Sequence, residues 1–159
     1  MPEAVPRVGL GFDAHPWATD DRPLSLGGVT FDGVPGLAGH SDGDVVCHAI
    51  ADALLGAAAL GDVGLHFPED DPSIAGMAGL ALLEDTLELV RGAGYSVRSS
   101  DATVICERPA VAPRRDELRS ALAEVLAIPL EAMSVKATRP EGLGLVGDGV
   151  GCMAVTVIA

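Results

Sequence analysis

The sequence predicts an α/β domain of two layers, in which a mixed β-sheet is covered by helices on one face. Segments typical of strands lie near both ends of the chain and in its second half, and segments with helical periodicity lie between them. The order of the main elements is β-β-α-α-β-α-β-β. A length of 159 residues suits a single domain, residues 1–159, with a core of its own.

The predicted strands are rich in β-branched residues or glycine. They span 7–15, 24–31, 95–107, 134–138 and 152–158. The first stops at Pro16, the second is expected to bend at Gly27 and Gly28, and the last is apolar enough to be buried on both sides.

The predicted helices are amphipathic or largely apolar. They comprise a central helix after Ser41 and the segments 77–91 and 116–127. Ser41 is expected to cap the central helix, with Asp44 at its third position. The acidic stretch between the first two helices, 61–72, is long enough to be a mobile flap.

Composition limits the classes of function. A net charge of -13 argues against a nucleic-acid partner, and an acidic protein that handles phosphates needs metal ions as intermediaries. The three cysteines show no Cys-x-x-Cys pair and are expected to be reduced and apolar in their surroundings. Neither an export signal nor a membrane span is expected, so the sequence predicts a cytoplasmic protein.

Three side chains suggest a metal centre. Asp13 and His15 share one face of the first strand, and His48 lies near the start of the central helix. Two histidines and one carboxylate suit Zn²⁺ and leave a coordination position open, provided that the strand end meets the helix. Asp44 or Asp52 could instead be a ligand, or could hold a histidine ring through its second nitrogen.

Other polar residues have both a functional and a structural interpretation. His40 and Ser41 precede the central helix, where an anion such as phosphate would be favoured, although Ser41 could simply be a cap. Glu141 could hold a harder ion such as Mg²⁺ against phosphate oxygens, or be a solvated loop acid. His66 is interpreted as structural. The sequence contains no motif typical of covalent catalysis.

Together these motifs resemble the 2-C-methyl-D-erythritol 2,4-cyclodiphosphate synthase family of the non-mevalonate isoprenoid pathway, over nearly the whole chain. The resemblance rests on Gly11-Phe-Asp-Ala-His15, on Gly39-His-Ser-Asp-Gly-Asp-Val45 with His48, on the run from Asp52 to Asp62 with Gly64 and Phe67-Pro68, and on Val135-Lys-Ala-Thr138 with Glu141-Gly-Leu-Gly144.

The resemblance implies a homotrimer with active sites between subunits, zinc on Asp13, His15 and His48, and Mg²⁺ or Mn²⁺ on Glu141. The implied catalytic residues are His40 and Thr138, with Arg139 at the position of a second threonine. The implied substrate-binding residues near the metal are Asp13, Ala14, His15, His40, Ser41, Asp62, Val63, Gly64, Phe67, Pro68, Glu69, Asp70 and Asp71. Those implied near the cytidine diphosphate are Cys106, Pro109, Ala110, Val111, Ala112, Ala137, Thr138, Arg139, Pro140, Glu141 and Leu145.

Three positions depart from the family pattern. Arg139 replaces a threonine, Ala110 a lysine near the cytidine phosphates, and Asp148 an arginine associated with an anion site on the trimer axis. Besides the cyclising lyase, the sequence is therefore compatible with two other hypotheses: a divalent-metal phosphoesterase that admits water, and a catalytically silent trimer that retains metal and nucleotide.

Overall fold

A four-stranded mixed sheet organises the chain in this computed structural model, which describes residues 5–159. Its strands, in spatial order, are β1 (Arg7–Pro16), β6 (Gly149–Ile158), β4 (Val97–Ile105) and β5 (Met133–Thr138). β4 and β5 are parallel, and the other neighbours are antiparallel. The predicted mixed sheet is confirmed.

The longer helices are α1 (Val45–Ala58), α3 (Gly79–Gly92) and α4 (Arg115–Leu126), with a short α2 (Val63–His66) after α1. α1 packs on β1 and β6, α3 packs on α1, and α4 lies against β5. β1 and α1 touch through their backbones: a Cβ added at Gly9 would lie 1.8 Å from the carbonyl oxygen of Ala53, and one at Gly11 would lie 1.9 Å from that of Ala49. These glycines therefore set the distance between β1 and the helix.

The opposite face of the sheet carries apolar side chains that remain exposed. Val8, Leu10 and Phe12 alternate with the two glycines along β1, and Leu10 and Phe12 pair with Val155 and Met153 on β6. Met153 and Val155 are 43% and 41% exposed. The expectation that the last strand is buried on both sides is thus wrong for the single chain, because the helices cover only one face.

Two local predictions are corrected by the structure. Residues 24–31 form a hairpin, β2 (Leu24–Leu26) and β3 (Val29–Phe31), because Gly27 and Gly28 adopt positive φ angles of 59° and 77° and turn the chain back. The central helix is capped by Asp44 instead of Ser41, since the Asp44 carboxylate accepts from the backbone N–H groups of Val46 and Cys47.

The three cysteines, Cys47, Cys106 and Cys152, are free and buried, as predicted. Within residues 5–159, none of the helices combines the length and the apolar character required to cross a membrane.

Candidate active site and metal centre

The end of β1 and the second turn of α1 bring Asp13, His15 and His48 together. Since side chains alternate along a strand, Asp13 and His15 lie on the same face as Gly9 and Gly11, the face that α1 covers. Asp13 Oδ2 lies 3.0 Å from His15 Nε2 and 3.1 Å from His48 Nδ1. One ligand atom from each residue lies within 4.8 Å of the others, so the predicted convergence is confirmed.

Hydrogen bonding shapes the electrostatics of this cluster. Burial alone would raise the pKa of Asp13, but the hydrogen bonds from His15 and His48 outweigh it and lower the pKa to about 2. The hydrogen bond to Asp13 raises the pKa of His15, against burial, which lowers it. A single carboxylate oxygen facing two ring nitrogens is an arrangement in which a divalent cation can replace the ring protons.

Neither Asp44 nor Asp52 joins the cluster. The alternative predictions, that one of them is a metal ligand or holds a histidine ring, are therefore wrong. Asp44 is fully buried and accepts from the N–H groups of Gly27 and Gly28, each at 2.8 Å, as well as from the first turn of α1. Asp52 accepts from the N–H of Val63 at 3.2 Å and so fixes the start of α2. The second nitrogen of His48 instead lies 3.1 Å from Ser41 Oγ.

A cavity of about 410 Å³ opens beside the cluster. Of the predicted substrate-binding residues, its walls contain Asp13, His15, His40, Ser41, Asp62, Val63, Gly64, Phe67 and Glu69. Sequence reasoning missed Phe12, Ile74 and Leu82 as lining residues. Ile74 and Leu82 carry no local signal that distinguishes them from ordinary core residues.

The predicted anion site at a helix N-terminus is also corrected. His40 and Ser41 lie four and three residues before the Asp44 cap, and the first free N–H groups of α1 already bind the Asp44 side chain. His40 and Ser41 nevertheless line the cavity, because the loop before α1 brings them to its wall. His66, interpreted as structural, lies with Nε2 2.7 Å from the carbonyl oxygen of Leu60.

Most of the residues predicted near the cytidine diphosphate lie in two segments that meet after β4 and β5, away from this cavity. Cys106 follows β4 and donates its N–H to the carbonyl oxygen of Thr138 at 3.1 Å, and the N–H of Gly142 donates to Glu107 at 3.0 Å. This second cluster, hereafter the strand-end cluster, comprises residues 106–112 and 137–142. Thr138, Arg139 and Glu141 are exposed within it, and burial raises the pKa of Cys106 to about 11.

The strand register measures the separation of the two parts. Asp13 pairs with Cys152, Cys152 with Val104, and Val104 with Ala137. Three strand spacings of about 4.8 Å put the backbones of Asp13 and Ala137 about 14 Å apart across the sheet. Ala14, Pro68, Asp70, Asp71 and Leu145 also lie outside the cavity lining found for residues 5–159.

Comparison with known proteins gives one consistent result. The model of the YgbB family matches residues 6–159. The chain is 48% identical over 153 residues to the 2-C-methyl-D-erythritol 2,4-cyclodiphosphate synthase of Desulfatibacillum aliphaticivorans, covering 96% of this chain and 97% of that protein. It is 50% identical over 154 residues to the synthase of the same name from Salinibacter ruber, covering 96% and 98%.

Solved structures with synthase names superpose closely on this chain. A 2C-methyl-D-erythritol-2,4-cyclodiphosphate synthase in its CDP-bound form superposes with a TM-score of 0.88 at 33% identity, covering 96% of this chain and all of that one. The bifunctional IspDF from Campylobacter jejuni gives a TM-score of 0.92 at 33% identity, with this chain spanning 43% of its length.

Proposed function

The chain belongs to the YgbB family and has the cyclodiphosphate synthase activity for which its relatives are named, and from this premise we propose how its residues divide the reaction. The substrate is 4-diphosphocytidyl-2-C-methyl-D-erythritol 2-phosphate. An oxygen of its 2-phosphate attacks the β-phosphorus, the bond from that phosphorus to CMP breaks, and 2-C-methyl-D-erythritol 2,4-cyclodiphosphate and CMP result. The enzyme is thereby a cyclising phosphorus–oxygen lyase of the non-mevalonate pathway.

The meeting of Asp13, His15 and His48 beside the cavity is the observation that carries this proposal. The donor set fits Zn²⁺, because two imidazoles and one carboxylate within reach of one point leave a fourth position for substrate. When bound, zinc would polarise a phosphate oxygen and neutralise its charge. Ser41, hydrogen-bonded to His48 Nε2, fixes the orientation of that ring.

The main contribution of the protein is to position the two reacting groups of the substrate, its 2-phosphate and its β-phosphate. The cavity of about 410 Å³ suits the methylerythritol phosphate, with Asp62, Val63 and Phe67 along its wall. His40 is exposed at the cavity and is assigned to stabilise the charge that develops at the reacting phosphates. Holding both phosphates in contact removes much of the entropic barrier to cyclisation.

The strand-end cluster is assigned to the cytidine diphosphate. Residues 106–112 are assigned to the base and ribose, and Thr138 with Arg139 to the diphosphate. Glu141 would supply one carboxylate to hold Mg²⁺ or Mn²⁺, and such an ion would neutralise charge on the phosphates. Arg139 is exposed beside Cys106 and offers a guanidinium where relatives are expected to have a hydroxyl.

We further propose a homotrimer whose active sites lie between subunits. The apolar pairs on the open face of the sheet support an interface there, and the separation of about 14 Å between the two parts of the site supports a contribution from a neighbouring copy. Light scattering after gel filtration tests the trimer. In an equal mixture of reassembled His48→Ala and Glu141→Gln subunits, about a quarter of the sites regain both parts if sites are shared. Recovery no greater than the sum of the separate variants would refute shared sites.

Phosphorus NMR of the reaction tests the function. Purified protein with Zn²⁺ and Mg²⁺ is expected to convert the substrate to the cyclic diphosphate and CMP. Linear phosphate products without the cyclic diphosphate would favour a phosphoesterase, and CMP release no faster than in buffer would favour a silent trimer. We also propose a cytoplasmic location, which the three buried free thiols support.

A further inference from the structure

One wall of the cavity is a segment that returns to the loop before α1. The wall segment, residues 67–78, contributes Phe67, Glu69 and Ile74 to the cavity. Its first residue is tied to α2, where the N–H of Phe67 donates to the carbonyl oxygen of Val63 at 2.8 Å. Its far end is tied to the segment that contains His40 and Ser41.

Asp42 makes most of the contacts at that far end. Its Oδ2 accepts from the N–H of Gly79 at 2.8 Å, and its own N–H donates to the carbonyl oxygen of Met77 at 3.1 Å. Its Oδ1 accepts from the N–H of Asp44 at 3.0 Å. A neighbouring bond, from the N–H of Gly76 to the carbonyl oxygen of His40 at 2.9 Å, closes the same junction.

This carboxylate therefore links three parts of the site: the loop that bears His40 and Ser41, the cap of α1, and the start of α3. Asp42 does not line the cavity beside the metal cluster and is not one of the three clustered metal ligands; it lines a neighbouring cavity, which it shares with His40 and Ser41. Its neighbour Asp44 binds different partners, the Gly27–Gly28 turn and the first turn of α1. Asp42 thus fixes the start of α3 to the loop before α1, whereas Asp44 fixes the β2–β3 turn to the start of α1.

We infer that Asp42 is a positioning residue for the cyclisation, whose carboxylate fixes the loop that bears His40 and Ser41 against Gly79, directly after the wall segment, while leaving metal binding to Asp13, His15 and His48. The inference rests on the proposed function. Misplacing reacting groups by about 1 Å can reduce turnover by about 10²-fold. Loss of the Asp42 carboxylate should therefore lower kcat strongly while the protein remains folded.

The test compares Asp42→Ala and Asp42→Asn with the wild-type enzyme, and uses Asp85→Ala, an exposed acid on α3, as the matched control. Asp42→Ala should lower kcat by about 10- to 100-fold, with zinc content unchanged. Asp42→Asn, which keeps one acceptor oxygen for one of the two N–H groups, should fall between Asp42→Ala and wild type. Hydrogen exchange of residues 67–79 should accelerate in Asp42→Ala and remain unchanged in Asp85→Ala.

Several outcomes would overturn the inference. If the wild type is active and Asp42→Ala is equally active, the positioning role of Asp42 is refuted and the proposed function is not. Unchanged hydrogen exchange in the wall segment of Asp42→Ala would refute the same role. Loss of zinc in step with loss of kcat would show that Asp42 acts through the metal cluster instead. A wild-type enzyme that releases no CMP would refute the proposed function itself, a result readily distinguished from the others.

Discussion

Substitution of Gly11 by alanine should separate the metal ligands without altering any of them. An added Cβ would lie 1.9 Å from the carbonyl oxygen of Ala49 and 2.8 Å from the N of Ala53, both backbone atoms of α1. Restoring the shortest ordinary van der Waals contact, about 3.4 Å, would require β1 and α1 to move apart by about 1.5 Å. Overpacking of this kind costs about 1–3 kcal/mol.

The movement also affects the cluster, because Asp13 and His15 lie on β1 and His48 lies on α1. Metal–ligand distances are held to about ±0.2 Å, so a displacement of about 1.5 Å exceeds what coordination tolerates. Gly11→Ala should therefore lose zinc, measured by metal analysis of the purified protein, and lose CMP release in parallel.

Gly56→Ala is the matched control. Gly56 lies on the same helix, and an added Cβ there would meet nothing within 4 Å. Alanine should stabilise the fold by about 0.5–1 kcal/mol and leave zinc content unchanged. A Gly11→Ala protein that retains stoichiometric zinc and full turnover would refute the argument that backbone contact between β1 and α1 positions the site.

Three further predictions concern the site. His48→Ala and Asp13→Asn should each lose zinc and activity, as measured by metal analysis and CMP release; retention of both would remove the basis for the metal centre. Arg139→Thr should keep or raise kcat, and a large loss would show that Arg139 has a catalytic part of its own. In metal-free protein, Asp13 stabilises the fold above its unfolded pKa of 3.8, a contribution lost as the pH falls towards its folded value of about 2. His15, whose pKa is raised above 6.5, contributes fully below pH 6.5 and loses its contribution as the pH rises through that raised pKa. The advantage of wild type over Asp13→Asn in chelator should therefore be greatest between about pH 4 and 6.5 in urea denaturation, and a maximum above pH 8 would contradict it.

The residues of the metal cluster could be predicted because the local sequence of β1 and the local sequence of α1 each indicate where the side chains lie on that element. Alternation along β1 puts Asp13 and His15 on one face, and the helical pattern puts His48 near the start of α1. The approach of the two elements could be inferred only through the family resemblance. Its physical cause is the pair of glycines, Gly9 and Gly11, whose absent side chains admit the helix backbone.

The start of α1 could not be chosen from local sequence. Ser41 and Asp44 are both good N-caps, and the spacing suits a capping box that begins at Ser41. Asp44 is the cap because its carboxylate also accepts from Gly27 and Gly28, residues far away along the chain. Ser41 is thereby free to face His48, a contact that the predicted cap would have prevented.

Net charge was also a poor guide to how this cavity could accept an anionic substrate. Among residues 5–159, four carboxylates line it, those of Asp13, Asp52, Asp62 and Glu69. Three of them already accept hydrogen bonds within the chain: Asp13 from two imidazoles, Asp52 from the N–H of Val63, and Asp62 from the N–H of Leu65. Such donors offset part of the negative potential, and Coulomb repulsion depends on these local partners more than on the total charge of the protein. An overall charge of -13 is therefore compatible with a phosphate-binding cavity, as long as its acids serve as ligands and caps.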